Sequence, residues 1–230
     1  MSLRVIAAAI ITVAALMIST CATAVAATSR AARPAVQLTG VQLLSALLPR
    51  SDFPAGFKLD KSAVFDSGRY LEHSPAQYHL SAMSCNSFAN NYGETGFGET
   101  ATAADDFLNS TNLEGFGQQV YQFKTSRAAI AFFKGLRAIS RRCRAFLLSG
   151  IGSDVFTHAF DAPSIGGHRT FQVNQRGSLL GVLTALDEVF TVAGTDVYFT
   201  VNIGFAVAPP SSPSARTSML RLIRRVQAHP

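Results

Sequence analysis

Cysteine is scarce in this chain: Cys21, Cys85 and Cys143 are the three present in 230 residues. Neither Cys85 nor Cys143 has a second cysteine or a histidine at metal-ligand spacing, and His73, His79, His158, His168 and His229 are scattered. No metal site and no cofactor are therefore expected. Catalytic signatures are missing too. There is no Gly-x-Ser-x-Gly elbow, no His-Glu-x-x-His and no phosphate-binding loop. Gly115-x-Gly117 and Gly150-x-Gly152 lack a third glycine and read as turns. Asp105-Asp106 and Asp187-Glu188 read as loop or strand-end charges, because neighbours on a strand face opposite ways and cannot share a proton. These absences argue against an enzyme without excluding one, since a serine, a histidine and a carboxylate can converge from any sequence order. No tandem repeat or low-complexity block marks an internal domain boundary.

Charge is thin at the N-terminus. After Arg4, Val5 to Ala27 carries no charged residue, and its most apolar stretch, Val5 to Ile18, has the length of a signal-peptide core. Residues 1–26 are read as a leader with Ala24-Val25-Ala26 as its small-x-small cleavage site. Two other uses of the segment stay open. Ile18-Ser19-Thr20-Cys21 resembles a bacterial lipoprotein box, which would make Cys21 a lipidation site, although Thr20 fits poorly before the cysteine. An uncleaved anchor is the third, with Thr12, Ser19, Thr20 and Thr23 diluting its apolarity. All three export the rest of the chain, secreted or held at the outer face of the cytoplasmic membrane through its N-terminus. In an oxidising compartment, the two thiols left after the leader are read as a disulfide in preference to a site.

Residues 27–37 read as a linker and residues 38–228 as one domain; about 200 residues suffice for a real core. The chain is 48% hydrophobic and 15% charged, with a formal net charge of +6. Arginines cluster at Arg137, Arg141, Arg142 and Arg144, and again at Arg216, Arg221, Arg224 and Arg225. Nucleic-acid binding is the sharper reading of such runs. For an exported chain they read instead as solvated helix faces, with arginines near the C-terminal end complementing the helix dipole, and no nucleic-acid partner is expected.

Helices are expected at both ends of a strand-rich middle. Thr39 and Gln42 make a capping box, followed by a stripe of Val41, Leu44, Leu47 and Leu48 that Pro49 ends. Ser51 to Gly56 reads as a turn and Phe57 to Phe65 as one strand. A helix from His79 to Tyr92 would align Cys85, Phe88, Ala89 and Tyr92. Strands are expected at Glu99 to Leu108 and Gly117 to Phe123. The longest helix runs from Ser126 to Arg144, with Ala129, Phe132, Phe133, Leu136, Ile139 and Cys143 inward. Later strands are expected around Phe171 and Val173, at Gly177 to Leu186, at Val189 to Ala193, and from Val197 to Val207. In the last, Val197, Phe199, Val201, Ile203, Phe205 and Val207 share one face and Tyr198, Thr200 and Asn202 the other. Pro209, Pro210 and Pro213 break the sheet, and Ser212-Pro213 opens a final helix with Ala215, Met219, Leu222, Ile223 and Val226 inward. Short connections imply a meander, so the fold class is α+β, an antiparallel sheet with helices packed against it.

Read together, these features resemble a known family. They are Leu47-Leu48-Pro49, then Asp52-Phe53-Pro54-Ala55-Gly56-Phe57, a cysteine on a small helix, Ser126-Arg127-Ala128-Ala129 opening a helix that closes on Cys143, and Val201-Asn202-Ile203-Gly204. The order resembles the PknH-like extracellular sensor domain of actinobacterial lipoproteins and secreted proteins, which is also the outer part of a receptor kinase. The resemblance spans Leu38 to Gln227 and implies a large ligand-binding cleft and a structural disulfide. Cys85 and Cys143 match the pair joining the small and long helices. The further cysteines of many members are absent, and no kinase domain is present from which a phosphorylation relay could be inherited.

The reading that results is an exported, non-catalytic, sensor-like domain binding a small or lipidic envelope ligand or a partner protein. A secreted hydrolase and a purely structural envelope protein are its rivals. The ligand-binding residues are not legible in the chain. Asn86 to Gly117, where Phe88, Tyr92, Phe97, Phe107 and Phe116 are interspersed with Asn and Gly, is the segment with the composition of a pocket wall.

Overall fold

A computed structural model describes residues 37–68, 78–90, 96–111, 114–148, 153–179, 182–205 and 214–229. The leader with Cys21, the linker up to residue 36, Tyr92, Gly150-x-Gly152, Val207 and the segment carrying Pro209 to Pro213 lie outside the described residues. Among the described residues, no helix is long and apolar enough to cross a membrane.

The chain runs through α1 (Gly40–Ala46), β1 (Lys58–Leu59), β2 (Phe65–Asp66), α2 (Cys85–Asn90), β3 (Ala101–Asn109), β4 (Glu114–Gln122), α3 (Ser126–Arg142), β5 (Ala145–Leu148), β6 (Ser153–Ile165), β7 (His168–Leu179), β8 (Val182–Ala193), β9 (Asp196–Phe205) and α4 (Ala215–Ala228). The nine strands form one sheet in the order β1-β3-β4-β9-β8-β7-β6-β5, with β2 also on the outer edge of β3. Every pairing is antiparallel. This is the expected α+β architecture.

Both faces of the sheet are covered. Val197, Phe199 and Val201 of β9 pack with Phe132, Phe133, Leu136 and Ile139 of α3. Tyr198, on the opposite face, packs with Leu43 of α1 and with Met219 and Leu222 of α4. Thr200 on that face donates from Oγ1 to the Ala215 carbonyl at 2.8 Å, and Tyr198 OH donates to Asp196 Oδ2 at 3.1 Å. Polar side chains survive in this layer because they have partners there.

α3 and α4 follow the sequence pattern. Thr125 and Ser214 cap them by accepting the Ala128 and Thr217 N–H groups, and the expected apolar stripes are buried. Cys143 ends α3 and is bonded to Cys85 at the start of α2, their Cα atoms 5.1 Å apart. Closing a loop across 58 positions stabilises the fold by about 4 kcal/mol in the chain-entropy picture.

Elsewhere the pattern misled. The capping box of α1 is present, but Gly40, Leu43 and Ala46 face inward and Val41 is 57% exposed. Gly40 sets that phase, because a Cβ there would lie 2.5 Å from Ser67 Oγ. The single strand expected at Phe57 to Phe65 is two short strands, separated where Asp60 Oδ1 accepts from the Ser62 N–H and hydroxyl. The helix expected from His79 begins at Cys85, after a 3-10 turn at Leu80–Ala82, because Ser84 Oγ takes the Ser87 N–H.

β8 is continuous across the point where two strands were expected. Asp187 and Glu188 sit mid-strand because each is matched on β7: Arg176 Nη2 lies 3.1 Å from Asp187 Oδ1, and Gln175 Nε2 donates to Glu188 Oε1 at 2.8 Å. Asp105 and Asp106 are likewise mid-strand in β3, not at its end. Gly115 and Gly117 are no turn; they lie inside β4. β5 and most of β6 had no counterpart in the sequence reading.

The arginine clusters lie on largely exposed helix faces, and several of their members also tie elements together. Arg137 and Arg141 both meet Asp161, Arg221 meets Asp52 at 2.7 Å, and Arg142 Nη2 donates to the Met83 carbonyl at 2.7 Å. Arg225 Nε reaches the Ala46 and Leu47 carbonyls at the end of α1.

Candidate functional site

α3 covers only part of its face of the sheet. The uncovered part, near β2 and α2, forms a cleft of ≈ 380 Å³. Its floor consists of side chains that strand register places in cross-strand rows. One row runs Asp106, Gly117, Val201, Glu188 across β3, β4, β9 and β8. A second contains Ala104, Gln119 and Phe199, and a third brings Leu186 beside Gln175. Phe88 and Ala89 of α2, Phe65 of β2, Ala63 and Phe146 of β5 supply the walls.

The disulfide bears on this geometry. It fastens the first residue of α2 to the end of α3, and α2 brings Phe88 and Ala89 to the cleft. Gly117 keeps the floor open, since a Cβ there would lie 2.6 Å from Asp106 Oδ1 and 2.9 Å from Val201 Cγ1. This is a glycine used for close approach within a strand.

The two floor carboxylates differ in setting. Glu188 is 2% exposed and accepts from Gln175. Asp106 is half-buried, and burial, reinforced by the nearby Asp60 charge, pushes its carboxyl up to about 6. Asp105 faces the other side of the sheet, where burial raises it to about 7 despite a 2.7 Å hydrogen bond from Gln118 Nε2. Three strand spacings separate the Asp106 and Glu188 Cα atoms, roughly 14 Å. They cannot share one ion, and no group of three or more His, Cys, Asp or Glu side chains among the described residues could hold a metal.

The segment Asn86 to Gly117 is divided by the fold. Phe88 reaches the cleft, whereas Phe97 lines a separate groove with Tyr78, Phe123 and Phe132. Phe107 and Phe116 lie on the opposite face against Phe53, with ring centroids 4.5 and 4.7 Å away. Sequence reasoning saw the carboxylates but not that Asp106 and Glu188 share a floor. The alternation of β3 and β8 alone gives each residue's parity; the row appears only when β4 and β9 are known to lie between them.

A solved structure has a fold similar to this one. The extracellular domain of PknH from Mycobacterium tuberculosis superposes with a TM-score of 0.57 at 15% identity, covering 84% of this chain and 98% of that one. This chain has the PknH extracellular-domain fold. An Rv0999 ortholog from Mycobacterium smegmatis is also similar, with a TM-score of 0.45 at 12% identity over 83% of this chain and 98% of its own. No protein-family model and no curated protein matches the sequence. The resemblance noted in the sequence is thus matched by the PknH-like fold.

Proposed function

We propose that this chain is a sensor-like binding domain, working outside the cytoplasm, that holds a small or lipidic ligand in the cleft without chemical turnover. The observation that carries the reading is the cleft: ≈ 380 Å³, within the roughly 300–1,000 Å³ that small ligands occupy. Its walls are largely apolar, and its polar groups are few and grouped on the floor, the arrangement that buries a ligand body while orienting one end.

The likeness to a domain that is extracellular in PknH supports placement outside the cytoplasm, as does the Cys85–Cys143 bond. The make-up of the lining supports binding over hydrolysis. No serine, histidine or cysteine is among the described residues lining the cleft.

Native mass spectrometry of the protein purified from its own producer, beside a denatured run, tests the reading. A discrete excess mass lost on denaturation is expected, and its value names the ligand's class. The bare polypeptide mass in both runs would count against a retained ligand.

A further inference from the structure

Building on the cleft as the binding site, we propose that its ligand is an organic cation, an ammonium-type group on an apolar body, with the charge seated against Asp106. The charged side chains among the described lining residues are Asp106 and Glu188; no lysine, arginine or histidine joins them. A third carboxylate stands next door, because the Asp60 N–H donates to the Asp106 carbonyl at 2.9 Å. The chain as a whole carries +6, so this negative cleft runs against the overall charge. A cleft lined by one sign of charge between low-dielectric walls concentrates ligands of the opposite sign.

Asp106 is the seat because Glu188 is already engaged by Gln175. Among the described residues, neither a hydrogen-bond donor nor a cation contacts the Asp106 carboxylate, and burial raises its proton affinity. A half-buried carboxylate without a partner is costly, and a cationic headgroup relieves that cost. The bare Cα of Gly117 leaves space beside Asp106 Oδ1. Phe65, Phe88, Phe146, Phe199 and Val201 then enclose an alkyl or aromatic body. A fatty carboxylate would meet two carboxylates and no counter-charge. A bare metal ion would find one carboxylate per site, with the second about 14 Å away across three strands.

The test is calorimetric titration of the purified chain at pH 7.5 with decylamine, decanol and decanoate, which share a body and differ in charge. Decylamine is expected to bind at least about tenfold more tightly than decanol, with decanoate weakest. Asp106→Asn should abolish the preference for amine over alcohol while leaving decanol binding intact, which also reports that the variant is folded. Asp187→Asn, which removes a carboxylate from the opposite face of the sheet, should keep the preference. Equal binding of amine and alcohol, tightest binding of decanoate, or an unchanged preference in Asp106→Asn would overturn the cationic ligand and leave the cleft as a binding site. Failure of all three to bind would overturn both.

Discussion

Gln118 grips Leu48 from both ends of its amide: Oε1 accepts the Leu48 N–H at 3.0 Å and Nε2 donates to the Leu48 carbonyl at 2.9 Å. The second Nε2 hydrogen goes to Asp105 Oδ1 at 2.7 Å, so one side chain of β4 secures both the chain leaving α1 and a buried carboxylate.

Replacing Gln118 with leucine leaves two buried backbone groups and that carboxylate short of partners. Each buried unsatisfied group costs about 1–3 kcal/mol, so Gln118→Leu should lose about 3 kcal/mol or more in urea unfolding. A loss below about 1 kcal/mol would mean that α1 is held in place without this grip.

Asp105, Asp106 and Asp196 are all raised by burial, to about 7, 6 and 6. An acid that binds its proton more tightly folded than unfolded adds stability as pH falls through its folded value towards the ordinary carboxylate range near 4. The melting temperature should therefore rise between pH 8 and pH 5. Asp161 runs the other way, held low by the Arg137 hydrogen bond, but its effect begins below the ordinary value and the pair is exposed. Asp105→Asn, which can still accept from Gln118, should stabilise the protein at pH 8 by roughly 2 kcal/mol and flatten the rise. A wild-type melting temperature that falls steadily from pH 8 to pH 5 would contradict this.

Cys85→Ala with Cys143→Ala should cost about 4 kcal/mol and weaken ligand retention as well, because α2 carries Phe88 and Ala89 into the cleft wall. Chemical denaturation and native mass spectrometry on the same preparation separate the two effects. Retention unchanged in a folded double variant would show that the cleft does not depend on the tether.

Gly117→Ala places a methyl group against Asp106 Oδ1 and Val201 Cγ1. Overpacking of this kind costs about 1–3 kcal/mol, visible as a lower melting temperature. The variant should also retain less of whatever ligand copurifies with the wild type. Equal retention would move the ligand away from this floor.

The parts of the fold legible in the sequence are those whose neighbours repeat a local signal. α3, α4 and β9 each carry a stripe, and packing confirms it for α3, α4 and for β9 from Val197 to Ile203. The α1 capping box was equally local, but the helix phase depended on Gly40 meeting Ser67, a contact no periodicity encodes. Asp187 and Glu188 resembled punctuation because their partners, Arg176 and Gln175, lie on another strand. The cleft was least legible. Gly117 and Asp106 belong to one floor only through the pairing of β3 with β4, and Glu188 joins them two strands further on. Non-local pairing sets the site, and a linear pattern does not report it.

The first and last helices of the domain meet. Arg221 reaches Asp52, Arg225 reaches the end of α1, and Ser45 Oγ lies 2.9 Å from His229 Nε2. Tyr198 and Thr200 of the central strand β9 rely on α4 for cover on the same side. A chain emerging N-terminus first, from a ribosome or a secretion channel, therefore leaves this side open until its final 14-residue helix arrives. The core on this side cannot close before α4 is in place.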